Sequence, residues 1–318
     1  MCEAVIIGAG IADILLRPVD ETVFEKGSCP VDSIRMSVGG DALNESTVLA
    51  RLGHRPLFVT KLGTDGVADF ILGHCGREGV QVFAARDAQM DTGINAVLVG
   101  HDGERSFITN RNGSLRRLSL EDVLPAFDTE EFAQAKVVCL ASMFVSFDLD
   151  LCGMEQLFAR AKAAGKIVCA DTTKRKNGET VADAAGALSH LDYFFPNLDE
   201  AKLLTGLEDA DAIADALLAA GVKNVALKLG GRGCLLKNQK ERIHVPACPD
   251  AACVDTTGAG DTFSSSFIAA ILEGCSFAQC GAFANAAASV CIEHLGATTA
   301  KLERGEVMRR YEKILSMM

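Results

Sequence analysis

The segment Val254–Phe267, VDTTGAGDTFSSSF, sets a glycine turn, an acid and a helix start side by side within fourteen residues. Gly258-Ala259-Gly260 lets several backbone N–H groups converge on one point, and its small side chains admit a close ligand approach. Asp261 falls where a helix over Thr262–Ala270 is expected to begin. A helix N-terminus carries unpaired N–H groups and about half a positive charge, so it draws phosphate. Asp261 then has two readings. As an N-cap it would only satisfy orphan donors. As a general base it would take a proton from a hydroxyl while the N–H groups carry the charge of a phosphoryl group in transfer. A plain cap has no need of Gly-Ala-Gly before it, which favours the base.

The run Asp255-Thr256-Thr257-Gly258-Ala259-Gly260-Asp261 resembles the D-T-x-G-A-G-D signature of the ribokinase family of small-molecule kinases, also called the PfkB family. The resemblance implies that Asp261 is the catalytic base and that the amides of Gly258, Ala259 and Gly260 hold the phosphoryl group. Four further segments stand in the family's order. Ser37–Asn44 resembles its G-G-x-x-x-N element, implying an acceptor site at Gly39, Gly40 and Asn44, with Asp13 as the N-terminal acid that reaches acceptor hydroxyls. A turn or edge role is the plainer reading of Asp13. Pro196–Glu200 resembles the N-x-x-E element, implying that Glu200, with Asn197, organises Mg2+ through water. Three residues apart at a helix start, the two share a face. Lys228–Gly233 resembles the nucleotide-site turn, and Phe283–Ala288 the small-residue helix beside adenine, implying ATP contacts at Asn197, Lys228, Gly230, Gly233 and Asn285. The family's K+ site uses backbone oxygens near Asp255 and Thr257 and in a later loop, here around Gly296-Ala297. The resemblance covers about residues 4 to 300.

Two departures leave readings open. Lys228 stands where many members have Thr, as a phosphate donor or a solvated charge. Asp41 follows the glycine pair, tuning the acceptor or only facing solvent.

Composition agrees with an enzyme of this kind. A chain of 318 residues, 49% hydrophobic, buries a substantial core and is not largely disordered. A formal charge of −11 argues against a nucleic-acid binder, which needs a basic surface. The twelve cysteines include no C-x-x-C pair and lie in apolar stretches such as Val137–Leu140, so we expect reduced thiols and a cytoplasmic protein. The six histidines lack metal-ligand spacing, and no apolar run reaches the roughly 18 residues that span a bilayer.

Short β-branched runs alternate with helical patterns, the form of a parallel sheet covered on both faces. Strands are expected at 4–8, 57–61, 137–140, 167–170, 193–195 and 224–228, with helices at 42–52, 69–78, 154–164, 211–220 and 277–294. No linker or repeat divides the chain, so one domain over 1–318 is expected. Residues 13–38 and 91–112 break the alternation, and Thr92–Val99 and Arg105–Thr109 flank an Asp102-Gly103 turn, a hairpin signal. The expected fold is α/β: in the family's terms a ribokinase-like three-layer α/β/α sandwich with a mostly parallel central sheet plus a small β-sheet lid, which often pairs subunits into a homodimer. A lid suits a kinase, which must keep water from ATP. Gly8-Ala9-Gly10 begins like a dinucleotide fingerprint, but Asp13 takes the third glycine's place.

These residues together read as an ATP-dependent kinase acting on a primary hydroxyl of a small sugar of the ribose, fructose or 2-keto-3-deoxygluconate type. A nucleoside kinase is the runner-up, and a catalytically silent sugar- or nucleotide-binding relative is a third reading. Arg105, Arg111 and Arg175 are candidates for an acidic group on the acceptor, since Arg binds such groups bidentately. With no Trp and two Tyr, stacking on a purine would fall to Phe107 or Phe144.

Overall fold

The structure, a computed structural model, describes residues 1–102 and 104–318. Its strands, in chain order, are β1 (Ala4–Ile7), β2 (Ile11–Arg17), β3 (Ser33–Gly39), β4 (Pro56–Leu62), β5 (Gln81–Arg86), β6 (Ile94–Val99) and β7 (Arg105–Thr109). There follow β8 (Val137–Met143), β9 (Ile167–Thr172), β10 (Tyr193–Phe194), β11 (Asn224–Lys228), β12 (Cys234–Asn238) and β13 (Arg242–Val245). The helices are α1 (Asp41–Arg51), α2 (Gly66–Glu78), α3 (Leu120–Val123), α4 (Glu130–Gln134), α5 (Leu151–Ala163) and α6 (Val181–Leu188). The remainder are α7 (Leu198–Thr205), α8 (Ala210–Ala219), α9 (Ala259–Leu272), α10 (Phe277–Cys291) and α11 (Arg304–Leu315).

Nine strands form the main sheet in the order β13-β12-β11-β10-β9-β8-β1-β4-β5. The pairs from β5 through to β11 are parallel, while β11-β12 and β12-β13 are antiparallel. Successive residues of a strand point to opposite faces, and β1 shows it. Ala4 and Ile6 enter one apolar layer with α1, α2, α9, α10 and α11, while Val5 and Ile7 enter the other with α3 to α8. The sandwich therefore has three layers, as expected.

The sequence reading missed β5, β12, β13, α3, α4, α6 and α11. It also started α9 too late. Gly258, in the left-handed region at φ 76°, is the residue before the helix, so Asp261 is the third helical residue and not its cap.

The second sheet is the lid, in the order β3-β2-β6-β7. It is assembled from two chain excursions, with β2 antiparallel to β3 and parallel to β6, and β6 antiparallel to β7. The hairpin of β6 and β7 is as expected; its Gly103 lies outside the described residues. Register sorts the residues of the lid by face. Asp13, Asn95 and Thr109 form one cross-strand row, and Met36, Ile14, Ala96 and Ile108 form the next, on the opposite face.

Candidate active site

The site lies at the carboxyl ends of the central strands. There the chain goes from β1 to its neighbour β4 on one side and later from β8 to β9 on the other, the kind of switch point where open α/β sheets bind ligands. The strand β3 runs straight into α1 through Gly40, whose φ is 94°. Any Cβ there would lie 2.5 Å from the Ala9 carbonyl oxygen, so only glycine brings α1 in this close. Gly39 makes room in a different way: a side chain on it would meet the Asp13 carboxylate at 2.2 Å.

The N-terminal turns of α1 and α9 converge, and Asn44 Nδ2 donates to Asp261 Oδ2 at 2.7 Å. Both open onto a cavity of about 340 Å³ under the lid, whose polar lining includes Asp13, Asp41, Asn95 and Thr257, with Gly40 and Gly258 at its wall. Asp13 Oδ1 accepts from Asn95 Nδ2 at 3.0 Å, and the Thr109 hydroxyl donates to Asn95 Oδ1 at 2.8 Å. Asn95 escaped the sequence reading. Its signal was a lone amide in the apolar run of β6, on the face that Asp13 shares.

Burial pushes Asp261 up to about 6, with the Asn44 bond opposing and the nearby Asp171 charge adding. Asp41, beside it, accepts from the Ser142 hydroxyl, and burial with the Asp261 charge holds its carboxyl well above the usual range. Asp41 lines the cavity rather than facing bulk solvent.

Behind the glycine turn lies a polar layer of which the motifs marked Lys228 alone. Asp171, the last residue but one of β9, takes Lys228 Nζ at 2.6 Å and the Ser264 hydroxyl at 2.5 Å on one oxygen. Lys228 is thus no solvated charge. Its Nζ lies 3.4 Å from where a Cβ on Gly260 would stand, directly behind the first turn of α9. Burial works against its charge, but Asp171 and Glu200 raise its affinity for the proton. Glu45 on α1 is fully buried nearby with Oε1 unpartnered, and burial raises its carboxyl well above the ordinary value.

Asn197 and Glu200 share one face as expected, because they form a capping box at the start of α7. Asn197 Oδ1 accepts from the Glu200 N–H at 2.9 Å, and Glu200 accepts from the Asn197 N–H at 3.2 Å. Burial lifts Glu200 to about 7, with Lys228 opposing. Hard oxygens from a carboxylate and an amide suit Mg2+, and the approach of a cation would relieve the cost of this buried acid. The residues fit that ion.

Gly230 and Gly233 bound a tight turn between β11 and β12 at φ 60° and 85°, and a Cβ on Gly233 would strike the Val245 carbonyl at 2.0 Å. Asn285 on α10 lies beside this turn. Its Nδ2 donates to the carbonyls of Val245 and Pro246 at 3.1 and 3.0 Å, so it fixes that segment against the turn.

The side chains of Asp255 and Thr257, whose backbone oxygens are the ones expected around K+, already carry a cation. Arg105 of β7 donates to Asp255 Oδ2 at 2.7 Å and to the Thr257 hydroxyl, which places a guanidinium on both side chains. Although burial opposes it, hydrogen bonds from the Thr257 and Gly296 amides, the Thr257 hydroxyl and Arg105 hold the Asp255 carboxyl at about 2. Arg105 is therefore not free to meet an acceptor's acid. Arg175 is spent in its own loop, donating to the carbonyls of Gly178 and Glu179. Arg111 is exposed and makes no ion pair among the described residues. Phe144 is buried in the core, whereas Phe107 reaches the cavity.

The pfkB family carbohydrate kinase pattern matches residues 2–304. Ribokinase of Arabidopsis thaliana is 29% identical over 314 residues, covering 96% of this chain and 80% of that protein. The 2-dehydro-3-deoxygluconokinase of Bacillus subtilis is 27% identical over 261 residues, 78% of each. Among solved structures, Arabidopsis thaliana ribokinase complexed with ribose and ATP superposes with a TM-score of 0.80 at 28% identity, covering 98% of this chain and 99% of that one. With the pattern spanning nearly its whole length, this chain belongs to the pfkB family of carbohydrate kinases, ATP-dependent phosphotransferases that act on sugars.

Proposed function

We propose that this kinase transfers the γ-phosphoryl group of ATP to a primary hydroxyl of a small sugar of the ribose, fructose or 2-keto-3-deoxygluconate type, with Asp261 as general base. The observation that carries the reading is the position of Asp261. Its carboxylate lies between a helix N-terminus opened by glycines and a cavity beneath the lid. At about 340 Å³ that cavity is near the lower end of the roughly 300–1,000 Å³ of small-molecule sites, which suits a monosaccharide. Ribose and ATP are the ligands of the solved Arabidopsis ribokinase, and two of the sugar classes proposed are those of the relatives named above.

Asp13, Asn95, Gly40 and Asn44 orient the acceptor so that its reacting hydroxyl faces Asp261. Asp261 takes the hydroxyl proton as the oxygen attacks the γ-phosphorus, and the bond from that phosphorus to the oxygen bridging it to ADP breaks. The amides of Gly258, Ala259 and Gly260, the α9 dipole and Lys228 behind them receive the charge of the transferring group. Most of the gain comes from holding these groups in place before reaction. Glu200, with Asn197, would hold Mg2+, which neutralises phosphate charge when bound. The turn at 230–233 is the proposed nucleotide rest. The lid keeps water from the phosphoryl group.

A nucleoside acceptor is less well served, because Phe144 is in the core and Phe107 alone offers a ring. A silent binding protein would have no use for a buried acid raised toward neutrality at an anion hole. The outer lid face, with Ile34, Met36 and Ile108 65%, 51% and 56% exposed, supports pairing of two copies through their lids. The twelve cysteines are free thiols, and no helix among the described residues is long and apolar enough to cross a membrane; a reducing cytoplasm is the compartment we infer.

The test is ATP-dependent ADP release across ribose, fructose, 2-keto-3-deoxygluconate, sugar phosphates and nucleosides, run beside Asp261→Asn. Turnover on one sugar class that vanishes in the variant is expected. Turnover confined to nucleosides would overturn the acceptor, and no turnover at all would overturn the enzyme reading for these substrates.

A further inference from the structure

Three pieces of the molecule meet on one carboxylate. Asp255 Oδ2 accepts from Arg105 of the lid at 2.7 Å and from the Gly296 N–H at 2.8 Å, while Oδ1 accepts the amide and hydroxyl of Thr257 at 3.0 and 2.7 Å. Arg105 also donates to that hydroxyl. The side chains of Arg105 and Asp255 are 24% and 7% exposed, so solvent screens the pair only partly. Thr257 directly precedes Gly258, and Gly258 has little room to move: a Cβ there would lie 2.5 Å from Ala297 Cα. The carbonyls of Thr257 and Ala297 both face the Cys291 thiol, at 3.6 and 3.7 Å. The loop that opens the anion hole is thus packed against the 296–297 loop and pinned from above by an arginine of the lid.

A positive charge is needed where Asp255 would otherwise stand buried and unpaired beside a site that receives a polyanion. A mobile cation would meet that need, but the guanidinium already occupies the carboxylate and repels a second cation. We propose that Arg105 is a positioning residue, holding the 255–257 loop in register with the anion hole and doing with a fixed, lid-borne charge what a bound monovalent cation would do there. Its geometry also couples the two sites. When the lid is down over an acceptor, the loop is complete, and lifting the lid withdraws the charge.

The proposal rests on the kinase reading for its activity arm and stands without it for its binding arm. Wild type and Arg105→Ala are compared in K+, Na+ and tetramethylammonium chloride at equal ionic strength, by turnover and by thermal melting. The wild type is expected to melt and turn over alike in all three salts. Arg105→Ala is expected to lose about 10- to 100-fold in kcat with a smaller change in the KM for ATP, the scale of a misplaced catalytic element. K+ or methylguanidinium should restore part of that loss and raise the variant's melting temperature over tetramethylammonium. Arg105→Lys, which keeps a charge, should lie between the two. A wild type activated severalfold by K+, a variant with wild-type kcat, or a variant that no cation rescues or stabilises would each overturn the proposal. If the wild type phosphorylates nothing, the kinase reading fails and the melting comparison still decides this one.

Discussion

Asn44 and Asp261, 217 positions apart in sequence, meet at 2.7 Å, amide nitrogen to carboxylate oxygen. The bond favours the ionised form of an acid that burial drives the other way, and the balance leaves Asp261 at about 6. The acid is thereby ionised at neutral pH yet basic enough to accept a proton, which is what general-base catalysis asks of it.

Asp261→Asn should lower kcat by about 10²–10⁴ and at the same time stabilise the fold at pH 7. The sign follows from linkage: with its affinity for protons raised by folding, Asp261 favours the native state below pH 4, and that contribution is lost as pH rises through about 6. Removing the charge should recover roughly 1–3 kcal/mol at neutral pH, seen as a higher melting temperature that does not reappear at pH 4. An inactive variant that melts lower at pH 7 would count against the buried charge.

In wild type, kcat/KM should fall as pH drops through about 6, the limb belonging to the base. Asn44→Ala removes a bond to the charged form, so the limb should move to higher pH while the maximal rate also declines. A pH–rate profile measured on both proteins reads this directly, and an unmoved limb would mean that another group sets it.

Lys228→Met should be costly because it strands Asp171, a fully buried acid, without its cation. Breaking a buried pair in this way costs about 3–5 kcal/mol. Adding Asp171→Asn to it should recover much of the stability but not the rate, since the charge behind Gly260 is still missing. Chemical denaturation and turnover on the single and double variants separate the two roles.

Ile34→Glu on the outer lid face should convert a dimer to a monomer without unfolding it, because Ile34 packs into neither apolar layer of the main sandwich. Sedimentation of wild type and variant at equal concentration is the measurement; a monomeric wild type would refute lid pairing.

Much of this was legible because it rests on backbone demands that only certain residues meet. Gly258 and Gly40 take left-handed conformations, and Asn197 and Glu200 obey the spacing of a capping box, so each leaves a local signature. Asp171, Ser264 and Glu45 leave none. Nothing sets them apart from the polar residues beside them in sequence, and what they do depends on which strand ends and helix turns the topology brings together. Lys228 was visible but ambiguous for the same reason, since its partner lies 57 residues away. Asn285 was ambiguous as well, because a buried amide looks alike whether it serves a ligand or a carbonyl. The late strands β12 and β13 were hidden by Lys237, Asn238 and Arg242, which interrupt their apolar pattern; Lys237 and Arg242 are held there by Asp211.

The parallel pairing of β2 with β6 makes the lid a joint product of two separated stretches of chain. One of them continues through Gly40 into the helix that carries Asn44; the other supplies Asn95 and Arg105. Specificity in such an architecture is not modular in the usual sense. Transplanting either stretch from a relative with a different sugar preference would leave half a ladder unmatched and tilt the helix whose Asn44 holds Asp261. Exchange of acceptor preference, by evolution or by engineering, therefore has to move both stretches together.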